Sequence, residues 1–280
     1  MAVVAGVRPH PWNHGFRWAD HPGPYRVVTP DQAAAFDEHG FFVLEGVIDP
    51  DTCAALDREI QPGVDLVARL LRQVPEGRLS VAGLDTQIVA PHLVTRSQRL
   101  RRFAASPLFG GLCADLVGPD ARLYWDQAVY KQPHTAEPVL WHQDNGYTFV
   151  EPQAYLTCWV ALSDATPDNG CIRVLPGWHR HGTLAHVDTP IGFACLDDPD
   201  GQVTVPVRAG SVVVFSSLTP HATGHNRTDA VRKAYILQYA PDGAEILRGD
   251  PSTGPPVGRE PAADPDRQFP VCRAGEPVGV

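Results

Sequence analysis

The stretch that decides how this chain is interpreted is WHQDNGY, residues 141–147. Along a β-strand alternate side chains point to the same face, so a strand here would place His142 and Asp144 together, with Gln143 on the opposite side. One imidazole and one carboxylate supply two of the three ligands of a facial 2-His-1-carboxylate iron site. The rest of the chain then has to supply a second histidine and a group that holds a cosubstrate.

The spacing of histidine and aspartate is weak support by itself. With 12 histidines and 32 acidic residues in 280, one or two chance matches are expected. A second match exists at His186-Val187-Asp188, in a region punctuated by proline and glycine and without a clear strand pattern. We therefore interpret the second match as a surface loop.

Two later residues, His221 and Arg232, support the interpretation of His142 and Asp144 as part of a metal site. His221 follows a strand predicted for 211–215, and a jelly roll can bring such distant strands side by side. Arg232 begins the strand predicted for 233–239 and needs a counter-anion, because an unpaired buried charge is costly and the guanidinium fork suits a carboxylate. That anion is either a protein carboxylate or a bound one. The face that Arg232 shares contains Ala234, Ile236 and Gln238.

Composition narrows the class of protein. A hydrophobic fraction of 43% in 280 residues allows a substantial core. The net charge of -9 and the pI near 5.7 argue against nucleic acid or an anionic membrane as the main partner. The six cysteines form no CxxC pair, and the first 14 residues lack the apolar core of a signal peptide. These features predict a cytoplasmic protein with reduced thiols and a small-molecule partner, and they leave the oligomeric state open.

The order of elements predicts a fold that is mainly β with flanking helices. Helix caps are expected at Thr29, Asp49, Ser97 and Ser106. From residue 121 onward, short β-rich segments separated by turn signals indicate a β-sandwich or jelly roll. We expect a single domain over 1–280, with an irregular lead-in at 1–28, a mostly helical flank at 29–120, a jelly-roll core at 121–240 and an irregular tail at 241–280. The predicted core strands are 122–131, 142–149, 154–162, 171–175, 203–207, 211–215 and 233–239.

Taken in order, the motifs of the chain resemble those of the phytanoyl-CoA dioxygenase family. The similarity runs from about residue 30 to 240 and rests on WHQDNGY (141–147), DNGC (168–171), VLPGWH (174–179), PHATGHN (220–226) and Arg232. The resemblance implies an oxygenase that depends on Fe(II), 2-oxoglutarate and O2. It also implies a double-stranded β-helix, which is a cupin-like jelly roll.

Carried over to this chain, the resemblance makes His142, Asp144 and His221 the iron ligands. Arg232 would bind the distal carboxylate of 2-oxoglutarate, with further cosubstrate contacts from Thr223, Trp159, Gln127 and Lys131. Two alternatives stay open here. Trp159 fits plain core packing nearly as well, and His225 could replace His221 as a ligand if its segment were helical.

Because halogenases related to this family lack the carboxylate ligand, the presence of Asp144 predicts hydroxylation. The expected reaction hydroxylates an unactivated C–H bond of a small metabolite, such as a natural-product intermediate, and releases succinate and CO2. The sequence shows no basic cluster for the phosphates of coenzyme A. Desaturation, epoxidation or rearrangement by the same cofactors are alternatives, as is a non-catalytic or non-oxidative jelly-roll metal-binding protein.

Overall fold

Four α-helices lie in the first half of the chain in a computed structural model that describes residues 6–280. Residues 1–5 of the predicted lead-in lie outside the described residues, and residues 6–28 contain no helix or strand beyond an isolated bridge between Pro9 and Leu184. No helix in the described part of the chain has both the length and the apolar character needed to cross a bilayer. The helices are α1 (Pro30–His39), α2 (Pro50–Leu71), α3 (Gln98–Ala104) and α4 (Pro107–Leu116).

The helices begin where the sequence predicts. The Thr29 side chain accepts a hydrogen bond from the Gln32 amide, and Gly40 ends α1 in the left-handed conformation. Asp49 caps α2 in the same way. Ser97 caps α3, whereas Ser106 occupies the N-cap position of α4 without a side-chain hydrogen bond. Side-chain capping therefore sets the start of the first three helices.

Nineteen strands are formed within residues 6–280. The first twelve are β1 (Phe41–Leu44), β2 (Arg78–Leu79), β3 (Ala82–Gly83), β4 (Gln87–Pro91), β5 (Ala121–Lys131), β6 (Val139–His142), β7 (Val150–Glu151), β8 (Leu156–Ala161), β9 (Ile172–Val174), β10 (Val187–Thr189), β11 (Gly192–Ala194) and β12 (Val203–Val205). The others are β13 (Val212–Ser216), β14 (His221–Thr223), β15 (Arg232–Pro241), β16 (Glu245–Arg248), β17 (Gly258–Pro261), β18 (Pro270–Arg273) and β19 (Glu276–Pro277).

Two sheets form the jelly roll. The larger sheet has the order β1-β13-β8-β15-β5-β4-β3-β2, with β18 joined to β5 and β19 to β18. The smaller sheet has the order β12-β9-β14-β6. Both are antiparallel wherever their strands pair. This two-sheet antiparallel architecture agrees with the predicted double-stranded β-helix.

The larger sheet has a core on each face, as the alternation along β8 shows. Trp159 and Ala161 point between the two sheets and pack with Ile172 and Phe215. Cys158 and Val160 point the other way, into a larger core that the helices cover. The helices contribute Phe36, Leu56, Ile60, Leu100 and Phe109 to that core. The helical layer thus supports the outer face of the sheet and leaves its inner face to the site.

The C-terminal segment differs from the irregular tail predicted for 241–280. Strand β16 pairs with β7 and β17, and β18 adds to β5. Phe269, Val271 and Cys272 are buried. These strands are short and rich in proline, so their hydrophobic periodicity is too weak to read from the sequence. Their pairing partners lie far away in the chain, where local patterns carry no information.

Candidate functional site

The structure brings His142, Asp144 and His221 together. One ligand atom from each of the three residues lies within 4.8 Å of those of the other two. His221 Nε2 lies 3.8 Å from Asp144 Oδ1, and the two imidazole ring centres are 4.2 Å apart. His142 and His221 are direct partners across β6 and β14. The rival ligand His225 lies beyond the end of β14 in a non-helical segment and is not part of this group.

The local geometry of the motif differs from the strand predicted for 142–149. Strand β6 ends at His142, and Asp144–Gly146 is a turn of 3-10 helix. Two buried side chains of the motif stabilise this turn. The Gln143 side chain donates to the backbone carbonyls of Gly182 and Leu218, and the side-chain Oδ1 of Asn145 accepts from the backbone amide of Val150. Asp144 therefore reaches the histidines through an anchored turn and not through strand alternation.

Backbone carbonyls orient both imidazoles. His142 Nδ1 lies 2.7 Å from the Leu140 carbonyl, and His221 Nδ1 lies 3.0 Å from the Thr219 carbonyl. Because a carbonyl only accepts, each Nδ1 carries the proton and each Nε2 presents a lone pair. Burial lowers the pKa of His142 to about 3 and that of His221 to about 4. Both rings are therefore neutral near pH 7, the form that binds a metal.

Two residues that sequence reasoning did not assign hold Asp144. Thr157 Oγ1 donates to Asp144 Oδ2 over 2.6 Å. Burial raises the pKa of the Asp144 carboxyl, while the neighbouring His142 and hydrogen bonds from Thr157 and Gln238 lower it. A signal existed for both residues, because Gln238 shares a strand face with Arg232 and Thr157 shares one with Trp159. Such contacts typically orient a metal ligand.

Arg232 is a buried cation without a protein anion. The side chain is 1% exposed, and none of its three guanidinium nitrogens has a hydrogen-bond partner among the described residues. Its Cζ lies 5.2 Å from the ring centre of Trp159. Burial lowers its pKa to about 10, so it stays charged near pH 7. The protein-carboxylate alternative therefore does not apply within residues 6–280, and a bound carboxylate fits.

The other predicted contacts separate into two groups. Thr223, Trp159 and Gln127 line the same cavity as the triad and Arg232. The Thr223 hydroxyl has no partner among the described residues, which suits a bound ligand. Lys131 does not line the cavity: its Nζ donates to the carbonyls of Glu137 at 2.9 Å and Gly224 at 2.7 Å. The placement of Lys131 thus gives no support to its predicted contact with the cosubstrate.

The second histidine-aspartate match does not form the predicted surface loop. His186 is half-buried and accepts a hydrogen bond at Nε2 from the amide of Gln143, over 2.9 Å. Its Nδ1 lies 2.9 Å from the Leu184 carbonyl. Strand β10 begins at the next residue. His186 therefore supports the turn that carries Asp144, a role that no local pattern would reveal.

The cavity above the triad has a volume of about 680 Å³, within the usual range for small-molecule sites. Trp159, Phe215 and Ile172 line its inner walls. The space is large enough for a cosubstrate and a second organic molecule. The arrangement therefore combines a metal-ligand set, a lone cation and an apolar chamber.

Comparison with known proteins agrees with this arrangement. The family model for phytanoyl-CoA dioxygenase (PhyH) matches residues 36–234. Phytanoyl-CoA dioxygenase domain-containing protein 1 of Danio rerio is 26% identical over 75% of this chain and 89% of its own length. The peroxisomal phytanoyl-CoA dioxygenase of Homo sapiens is 24% identical over 76% of this chain and 69% of its own.

Solved structures share the fold. The epimerase SnoN, in complex with Fe3+, alpha ketoglutarate and nogalamycin RO, superposes with a TM-score of 0.64 and 25% identity, over 86% of this chain and 97% of its own. EctD from S. alaskensis, with 2-oxoglutarate and 5-hydroxyectoine, gives 0.64 and 22% over 86% and 85%. The ligands of these structures agree with the cofactors predicted from the sequence. With the family model matching most of the sequence, the chain belongs to the phytanoyl-CoA dioxygenase family.

Proposed function

We propose that this protein hydroxylates an unactivated C–H bond of a small-molecule metabolite, using Fe(II), O2 and 2-oxoglutarate and releasing succinate and CO2. The observation that carries the proposal is the unpaired guanidinium of Arg232 in the same cavity as the triad. A buried cation without a partner is costly. A dicarboxylate cosubstrate offsets that cost only when it is bound, which couples the cation to the cofactor.

In this proposal His142, Asp144 and His221 hold the iron. Arg232 binds the far carboxylate of 2-oxoglutarate, and the Thr223 hydroxyl donates to the same group. When bound, the iron and 2-oxoglutarate supply the oxidising chemistry, in which O2 is consumed and 2-oxoglutarate loses CO2. The six cysteines, all buried and unbridged, support the proposed reducing, cytoplasmic location.

The protein's own contribution is geometry and exclusion of water. Carbonyls fix the two imidazoles, and Thr157 fixes the carboxylate. Phe215 packs against His221, with ring centres 4.7 Å apart, and shields the triad on that side. A ligand set that is held rigidly and shielded on one side limits side reactions at the metal.

The likeness to SnoN, an epimerase at 25% identity, supports a second outcome with the same cofactors, namely epimerisation of the substrate. The two outcomes differ in the product. Hydroxylation adds the mass of one oxygen atom to the substrate, whereas epimerisation leaves its mass unchanged. Mass spectrometry of the product, with 18O2 as the oxidant, separates them.

The experiment is substrate-stimulated succinate release, measured on a metabolite panel with Fe(II) and 2-oxoglutarate. Asp144→Ala and His221→Ala should each abolish it. His225→Ala is the matched control, because this exposed histidine lies outside the triad, and its turnover should equal wild type. Unchanged turnover in either ligand variant would overturn the proposed site.

A further inference from the structure

The cavity has two halves of different character. The polar half contains the triad and Arg232, and the other half, the outer chamber, is defined by Leu70, Leu79, Val81, Val89, Gln127 and Val129. The lining of the whole cavity, both halves together, contains only four Asp, Glu, Lys, Arg or His side chains among the described residues. These are His142, Asp144, His221 and Arg232. All four are already assigned to iron or 2-oxoglutarate. The outer chamber itself therefore offers no charge to a ligand.

The register of the larger sheet separates the two halves. Gln127 of β5 lies opposite Ile236 of β15, and Val129 lies opposite Ala234. On the far side of β5, Val89 of β4 lies opposite Val129. Neighbouring strands are about 4.8 Å apart, so β4 lies roughly 10 Å from the strand of Arg232. A second molecule can thus occupy the outer chamber beside a cosubstrate seated over β15.

Gln127 supplies a free donor in this chamber. Trp125 Nε1 donates to Gln127 Oε1 over 3.0 Å. Because an indole N–H can only donate, the amide oxygen must face the tryptophan and the amide nitrogen must face away from it. Nε2 has no hydrogen-bond partner within residues 6–280 and is not sealed from solvent. It is placed to donate to an oxygen atom of a ligand.

The rim of the chamber is apolar as well. Leu70, near the end of α2, is 53% exposed, and Leu79 of β2 is 68% exposed. Both also line the cavity. A charged ligand would pass this rim and enter the chamber without meeting a compensating charge, and burial of an unpaired charge is strongly unfavourable.

We propose that the outer chamber binds an uncharged, predominantly apolar molecule that presents a carbonyl or hydroxyl oxygen to Gln127. Molecules that would bury a carboxylate or a phosphate inside the chamber are excluded as occupants. That this molecule is the one oxidised rests on the proposed function above. The binding preference itself rests only on the chamber.

The test measures displacement of Nile red, an uncharged dye that fluoresces in apolar surroundings, from the full chain loaded anaerobically with Fe(II) and 2-oxoglutarate. The competitors are matched pairs: fused-ring alcohols and ketones against their sulfate esters, long-chain ketones against the corresponding carboxylates, and free coenzyme A. The neutral compound of each pair should bind at least about tenfold more tightly than its charged counterpart, because the chamber leaves the charge unpaired. Equal or tighter binding of the charged twins, or of coenzyme A, overturns the proposal, as does the failure of every neutral compound to bind.

Variants locate the binding. Leu79→Glu, at an exposed side chain that the fold tolerates, should weaken dye binding by about tenfold. Val257→Glu is the matched control, because Val257 is 86% exposed and does not line the cavity. Gln127→Leu should weaken a ketone by about fivefold, the effect of one hydrogen bond, but not the corresponding hydrocarbon. Equal effects of Leu79→Glu and Val257→Glu, or of Gln127→Leu on ketone and hydrocarbon, count against the chamber.

A second readout separates this inference from the proposed function. Anaerobic addition of 2-oxoglutarate to the Fe(II) protein should produce a visible charge-transfer band. If the band forms but charged twins bind as well as neutral ones, only the chamber proposal fails. If the neutral preference holds and the band is absent, the chamber proposal stands and the proposed function fails.

Discussion

Arg232 and Lys131 are partners across β15 and β5, and they show two ways to bury a cation. The side chains are 1% and 0% exposed, and neither forms an ion pair with a carboxylate within the described chain. Lys131 donates to two backbone carbonyls, whereas Arg232 donates to nothing. Lys131 is thus satisfied by the fold itself, while Arg232 is left for an anion from outside.

Replacing Arg232 gives the strongest test of this difference between the two cations. Arg232→Met should weaken 2-oxoglutarate binding by about 30-fold or more, because truncating one partner of a buried charge pair costs roughly 2–5 kcal/mol. Anaerobic calorimetry with Fe(II) measures the change. Without 2-oxoglutarate, the variant should melt no lower than wild type, since it loses an unsatisfied charge. Unchanged affinity would show that the guanidinium holds something else.

A second variant tests how the fold holds the one carboxylate that lines this cavity, Asp144. Thr157→Val removes the hydroxyl that donates to Asp144 and keeps the shape of the side chain. Iron affinity should fall by about 10-fold to 100-fold, as is usual when a metal ligand loses its supporting hydrogen bond. Competition with a chelator gives the affinity.

Thr204→Val is the matched control for that substitution, because Thr204 is an exposed residue of β12 outside the cavity. Equal iron affinities for the two variants would mean that Thr157 only packs against the carboxylate.

The smallest effect on the cosubstrate is expected at Lys131. Lys131→Met should leave the affinity for 2-oxoglutarate within about threefold of wild type, because the ammonium donates to two carbonyls and does not line the cavity. The same calorimetric titration applies. A loss comparable to that of Arg232→Met would place the lysine at the cosubstrate after all.

We expect Lys131 instead to make the free energy of unfolding depend on pH. Burial lowers the pKa of Lys131 from its ordinary 10.5 to about 7. Between these values the unfolded chain binds more protons than the folded one, so the free energy of unfolding rises with pH in this window. The contribution of Lys131 to stability is therefore lost as the pH falls toward the folded-state pKa of about 7. Urea denaturation at about pH 7 and about pH 9 measures the slope. Lys131→Met should lack this contribution, and an identical slope in both proteins would contradict it.

The sequence predicts that His142, Asp144 and His221 lie together, as they do in the structure, but it predicts the local geometry incorrectly. Strand alternation selects His142 and Asp144, yet the strand ends at His142 and a 3-10 turn carries the aspartate. The face containing Arg232 and Gln238 is predicted correctly because β15 is a long, regular strand. Side-chain periodicity is therefore reliable in the sheet and fails at the turn.

What the sequence cannot predict depends on distant partners. His186 accepts a hydrogen bond from the backbone amide of Gln143, and the buried His179 has its Nε2 3.1 Å from the Asp37 carbonyl. Neither contact has a local signature. The same holds for Lys131, whose carbonyl partners come from two different loops. Polar residues in loops are assigned only once the tertiary structure is known.

The strand pairing of the site also bears on how the protein is made. His142 pairs with His221, β5 pairs with β15 and β18, and Trp12 Nε1 donates to the carbonyl of Gly254. Contacts of such long sequence separation require large loops to close, which slows folding. The triad cannot assemble until β14, which carries His221, has left the ribosome. A nascent chain stalled before β14 would therefore lack a complete triad.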